Sequence, residues 1–140
     1  MPRRFHAAVG SISVLAVFAL PALAAELEAA QARKFIVGRH WNFHCFEGTT
    51  GSGRVLADGS ISGTYREHGD GPTRQQSYPP ATFEVHAGLL CADGQRLLGV
   101  FTPCFTINQK DDASFRGSIR WLPFLRCDFK EDNPRYAAPE

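Results

Sequence analysis

The sequence predicts an all-β domain. The expected form is a small antiparallel barrel of about 6–8 short strands, with a sandwich as the alternative, plus a short N-terminal helix and two disulfides. Three observations predict it. Beyond Gly38 the chain breaks into short runs of alternating apolar and polar residues, separated by turn signals. Gly63 and Gly117 fall inside such runs, where glycine marks sharp bending, and this favours a barrel over a sandwich. Four cysteines, Cys45, Cys91, Cys104 and Cys127, follow an export leader, and an even count in a small exported domain reads as disulfides.

The leader occupies residues 1–24. Arg3 and Arg4 are followed by an uncharged apolar run from Ala7 to Leu20, then by Pro21 and the small-x-small site Ala22-Leu23-Ala24. The run is too short for a bilayer span, which needs about 20 residues, and no later stretch approaches that length. Of 15 basic and 14 acidic residues only Arg3 and Arg4 lie in the leader, so 13 face 14 in the remainder, a net charge of −1. That balance excludes a strongly basic nucleic-acid binder and a charge-driven disordered chain. A periplasmic or secreted location is expected.

Residues 25–39 form the expected N-terminal helical segment. Glu26 to Lys34 places acids first and Arg33-Lys34 last, in the order that suits the helix dipole. A disulfide-stapled β domain follows over 40–130, and a flexible tail over 131–140. The expected strands are His40–Glu47, Arg54–Ala57, Ser60–Arg66, Thr82–Leu90, Arg96–Phe101, Phe105–Gln109, Ser114–Trp121 and Leu125–Phe129. Asp58-Gly59 is the strongest hairpin signal, Ala92-Asp93-Gly94 marks a second turn and Lys110 to Ala113 a third. Phe83, Val85, Ala87 and Leu89 alternate against Thr82, Glu84 and His86. Phe115, Gly117, Ile119 and Trp121 alternate against Arg116, Ser118 and Arg120. Glu67 to Pro80 reads as one long irregular connection.

Four cysteines allow three pairings, and strand parity narrows them. Cys45 shares a face with Trp41 and Phe43, and Cys127 shares one with Leu125 and Phe129, so both point into the core from the first and last strands. Cys45–Cys127 then ties those strands, and Cys91–Cys104 staples a local hairpin. Cys104 alternates with polar Thr106 and Asn108, so its bridge requires a bulge near Pro103 to turn it inward.

Motifs for chemistry are weak. In Gly48-Thr49-Thr50-Gly51-Ser52-Gly53 the last glycine is followed by Arg54-Val55, not by the Lys-Ser/Thr of a phosphate loop, and the segment reads as a turn. His40 and His44, about 13 Å apart along a strand, cannot share one metal. Gly59-Ser60-Ile61-Ser62-Gly63 carries Ile61 at the nucleophile position of a hydrolase elbow. Asp111-Asp112 has no partner carboxylate at a defined spacing. No catalytic, metal or cofactor residues are expected.

The residues that qualify as a contact surface are His44, Phe46, Arg116, Arg120, His68, Asp70 and Tyr78. Arg116 and Arg120 share an outward face, Phe46 falls on the polar side of its strand beside His44, and the other three lie in the 67–80 connection.

The run Phe43-His44-Cys45-Phe46-Glu47-Gly48, with Cys127 near the end, resembles the aromatic-Cys-x-x-Gly first strand of exported bacterial lysozyme- and protease-inhibitor barrels. No inhibitory loop motif accompanies it. The resemblance implies an exported, non-enzymatic binding module, either a small inhibitor or an envelope protein-interaction barrel, whose partner is an envelope or extracellular protein. A carrier of a small apolar ligand and a small envelope hydrolase using His44, His68 or His86 are the alternatives.

Overall fold

The structure, a computed structural model, describes residues 24–93 and 102–132. The leader, except for Ala24, the strand expected at Arg96–Phe101 and the tail from residue 133 lie outside the described residues. Among the described residues strands make up 56% and there is one short helix, so the class is all-β as expected.

The chain begins with β1 (Ala25–Glu26) and α1 (Ala29–Ile36). Nine strands follow: β2 (His40–Cys45), β3 (Thr50–Val55), β4 (Ile61–Arg66), β5 (Arg74–Tyr78), β6 (Phe83–His86), β7 (Leu89–Ala92), β8 (Cys104–Asp111), β9 (Ser114–Ile119) and β10 (Leu122–Glu131). They form one antiparallel sheet in the order β5-β4-β3-β2-β10-β9-β8-β7-β6, curled into a half-barrel. Its edges, β5 and β6, are consecutive in the chain and are joined by 79–82. Ala81 N–H donates to the Asp58 carbonyl at 2.8 Å and Phe83 N–H to the Gly59 carbonyl at 2.9 Å, so the β3–β4 turn holds the start of β6.

That turn forms where the sequence placed it. Gly59 has φ +83°, and the Asp58 carboxylate accepts from Ser60 N–H at 2.9 Å and Ser60 Oγ–H at 2.6 Å.

The helix starts later than the sequence suggests. Ala25 and Glu26 are extended and pair with Gln109 and Asn108 of β8. Leu27 N–H then donates to the Ile107 carbonyl at 2.8 Å, so these residues occupy a stretch of β8 edge that β7 does not reach. Ala32 and Ile36 of α1 pack into a core with Trp41, Val55, Phe83, Leu90, Ile107 and Phe115. Trp41 Nε1–H donates to the Ile36 carbonyl at 3.0 Å and satisfies one of the helix's last carbonyls.

Four other strand expectations need correction. Thr82–Leu90 is a hairpin rather than one strand: Ala87 and Gly88 take φ +48° and +75°, and the two-residue turn reverses the face, so Leu90 rather than Leu89 is buried. Trp121 lies in the β9–β10 turn, 60% exposed, instead of on the core face. The 48–53 segment is a turn only as far as Gly48; Thr50–Gly53 belong to β3. The 67–80 connection contains a 3-10 turn (Glu67–Gly69) and the whole of β5.

Both disulfides form as the parity argument pairs them, Cys45–Cys127 and Cys91–Cys104. Cys45 and Cys127 are direct Cα partners across β2 and β10. Cys91 and Cys104 are likewise direct partners across β7 and β8. No inward rotation of Cys104 is needed. Neighbouring Leu90 and Phe105 face the core, and the bridge spans the opposite face of the sheet.

Candidate functional site

The concave face of the half-barrel holds a cavity of about 470 Å3. The register shows how the sequence makes it. One inward row runs Trp41–Gly53–Gly63–Gln76 across β2, β3, β4 and β5, and the next includes Val55–Ile61–Tyr78. At the centre of the first row stand two glycines. A Cβ on Gly53 would lie 2.7 Å from the Ser62 carbonyl oxygen, and one on Gly63 would fall against the Ser52 carbonyl and 2.9 Å from the Gly53 Cα. The strands approach too closely there for any side chain, which allows the sheet to curl sharply. With no side chains on the floor, the space above it stays open.

Rings form the opposite wall. Phe115 and Phe129 stack at 4.4 Å with planes 3° apart, Trp41 meets Phe115 edge-on at 4.8 Å, and Phe43 lies 5.7 Å from Phe129. Tyr65, Gln76 and Tyr78 line the β4–β5 side, which α1 does not cover. The lining is dominated by apolar and aromatic side chains with a few neutral polar tips. Among the described residues its one cationic side chain is Arg54, which alternates with inward Gly53 and Val55 and so belongs to the convex face by register. A chamber of this size and lining suits a small molecule with a largely apolar body.

A second cavity of about 430 Å3 lies at the seam between α1 and the β6–β7 hairpin, lined in part by Leu27, Ala29, Val85, Leu89 and Arg120.

The residues singled out from sequence do not converge on one spot. His44 is exposed at the end of β2, opposite Asp128. Phe46 lies in the β2–β3 turn, 54% exposed, with Phe124 edge-on at 6.3 Å. His68 sits in the 3-10 turn at φ +51°, with Nδ1 3.0 Å from the Glu47 carbonyl oxygen. Asp70 ends that turn, its N–H donating to the Glu67 carbonyl at 3.1 Å. Tyr78 lines the large cavity. Arg120 is in the β9–β10 turn, beside the second cavity.

Arg116 is already engaged. Its Nε–H and Nη2–H donate to the two Asp128 oxygens at 2.8 and 3.0 Å, and Lys110 Nζ reaches Asp128 at 2.7 Å. The Arg116 guanidinium, with Lys110, holds the Asp128 carboxyl far below the usual carboxylate range.

Among the described residues no histidine lines either cavity. His86 pairs with Asp93, and His40 Nδ1 lies 3.4 Å from Asp132. Among the described residues no three His, Cys, Asp or Glu side chains gather as a metal site.

Sequence reasoning assigned Trp41 and Phe43 to the core and read Gly53 as a turn residue, so it missed the chamber. The available signal was small residues at alternate positions in neighbouring strands, Gly51 and Gly53 in β3 and Gly63 in β4.

No family model, curated protein or solved structure matches this chain. Two disulfides, with no helix among the described residues long and apolar enough to cross a membrane, are compatible with an extracellular or periplasmic protein.

Proposed function

We propose that the chain is an exported, non-enzymatic binding module that holds a small apolar molecule in the concave face of its half-barrel. The observation that carries this reading is the 470 Å3 chamber, with its glycine floor and its wall of Phe43, Phe115, Phe129 and Trp41. A purely structural domain of this size gains stability by filling such a space. Here close strand approach at Gly53 and Gly63 keeps the floor bare. The leader and the two disulfides support export to the periplasm or beyond.

An inhibitor that engages its target through the 67–80 segment needs that segment to project. That segment instead supplies β5, one wall of the chamber, so the carrier alternative now has the better geometric support.

The test is titration of the oxidised protein with an environment-sensitive naphthalene dye. Wild type should bind and enhance emission. Ile61→Trp, which adds a ring on the open side of the chamber, should weaken binding at least about tenfold. Phe46→Ser, outside the chamber, should leave it unchanged. Equal binding by wild type and Ile61→Trp would refute the assignment.

A further inference from the structure

We infer that the β9–β10 hairpin is a docking tip for an anionic lipid bilayer. Its sequence, Arg120-Trp121-Leu122-Pro123-Phe124-Leu125-Arg126, sets five apolar residues between two arginines. Trp121 and Phe124 are 60% and 56% exposed, and Phe46 on the adjoining turn rests against Phe124. Three exposed large rings at one end of a small domain mark a surface that something covers.

The local geometry projects this segment. The β9–β10 register shifts between Leu122 and Arg126, so 123–125 leave the ladder, and Pro123 has no N–H to return to it. The segment lies at the Cys45–Cys127 end of the sheet, away from the end where α1 packs on Trp41 and Phe115.

Charge identifies the occupant. No carboxylate occurs between Asp112 and Asp128. Arg116 is bound to Asp128, but Arg120 and Arg126 make no ion pair among the described residues. Glu26 and Glu28 share the lining of the second cavity with Arg120 without forming an ion pair with it, and Glu47 lies on the β2–β3 turn beside Phe46. Aromatic rings bracketed by unpaired guanidinium groups match the boundary between acyl chains and anionic headgroups. There the rings enter the interface while the arginines meet phosphate. The inference does not depend on the chamber being filled.

The experiment uses protein recovered after export from cells expressing the full chain. It is mixed with vesicles of phosphatidylethanolamine containing one quarter phosphatidylglycerol, or with phosphatidylcholine alone, and sedimented. Wild type should sediment with the anionic vesicles, lose that binding in high salt, and bind phosphatidylcholine about tenfold less. Trp121→Ser/Phe124→Ser should lose at least about tenfold in partitioning, with both disulfides intact by non-reducing mass. Arg120→Gln/Arg126→Gln should lose the preference for phosphatidylglycerol. Failure of wild type to sediment with anionic vesicles overturns the inference, as does wild-type sedimentation by the Trp121/Phe124 variant. Capture of a stoichiometric protein by the tip without vesicle binding also overturns it.

Discussion

Gly53 and Gly63 are direct partners across β3 and β4, so close that a Cβ on Gly63 would lie 2.9 Å from the Gly53 Cα. The obstacle is backbone on the neighbouring strand, which cannot swing aside as a side chain would. Gly63→Val should therefore destabilise by about 3 kcal/mol or more, or fail to fold. Gly117→Ala is the contrast. Its added methyl meets the ends of the Phe129 and Ile107 side chains at 3.3 and 3.5 Å, and should cost less than about 1 kcal/mol. Urea unfolding of the two variants checks both.

The two disulfides should differ in weight. Cys45–Cys127 closes a separation of 82 residues and Cys91–Cys104 one of 13. In the chain-entropy picture these contribute about 4.5 and about 3 kcal/mol. Cys45→Ala/Cys127→Ala should lower the urea midpoint more than Cys91→Ala/Cys104→Ala.

Acid should weaken the fold through Asp128 and Glu131. Both carboxyls are held below their ordinary range, Asp128 by Arg116 and Lys110 and Glu131 by Arg39. A folded-state pKa below the unfolded value gives stability that is fully present above about pH 5. It is lost as pH falls toward the folded values. Both pairs are part-exposed, so the effect of each is modest and screened by salt. Asp128→Asn should flatten the decline between about pH 5 and 2. Chemical unfolding across that range measures it.

Arg39 pins the helix end to the sheet. Its guanidinium carbon sits 4.6 Å from both the Phe35 and Trp41 ring centres, and the group also bonds Glu131 and the Asp112 carbonyl. Arg39→Gln should cost about 1–2 kcal/mol. It should also shift Trp41 emission to the red, because the ring loses its cover.

Where one face of a strand packs a core, the sequence was legible. Trp41, Phe43 and Cys45 alternate cleanly, as do Leu125, Cys127 and Phe129, and those two alternations point to the Cys45–Cys127 pairing that the structure contains. Asp58-Gly59 carried its turn in its chemistry. The failures share a physical cause. Arg74, Gln76 and Tyr78 share the concave face of β5, but that face looks onto open space, so no apolar pattern announces the strand. Ala87 stands at positive φ where Asn usually precedes the glycine of such a turn, so Ala87-Gly88 did not read as one. The glycines of β3 have poor strand propensity, yet close backbone approach requires them. The chamber was hidden for the same reason, since its floor is built from residues that leave no hydrophobic trace.

The Cys45–Cys127 bridge carries one more consequence. By joining the first and last strands of the half-barrel it makes everything between them a covalent ring, with Cys91–Cys104 as a smaller loop inside it. A protease that cuts once within the exposed 67–71 stretch produces no loose fragment. The two pieces remain one molecule, each still threaded into the sheet by its partner strands, and the cut ends can close again on the same register. A single nick there becomes a survivable scar, and separating its two pieces requires reduction as well as cleavage.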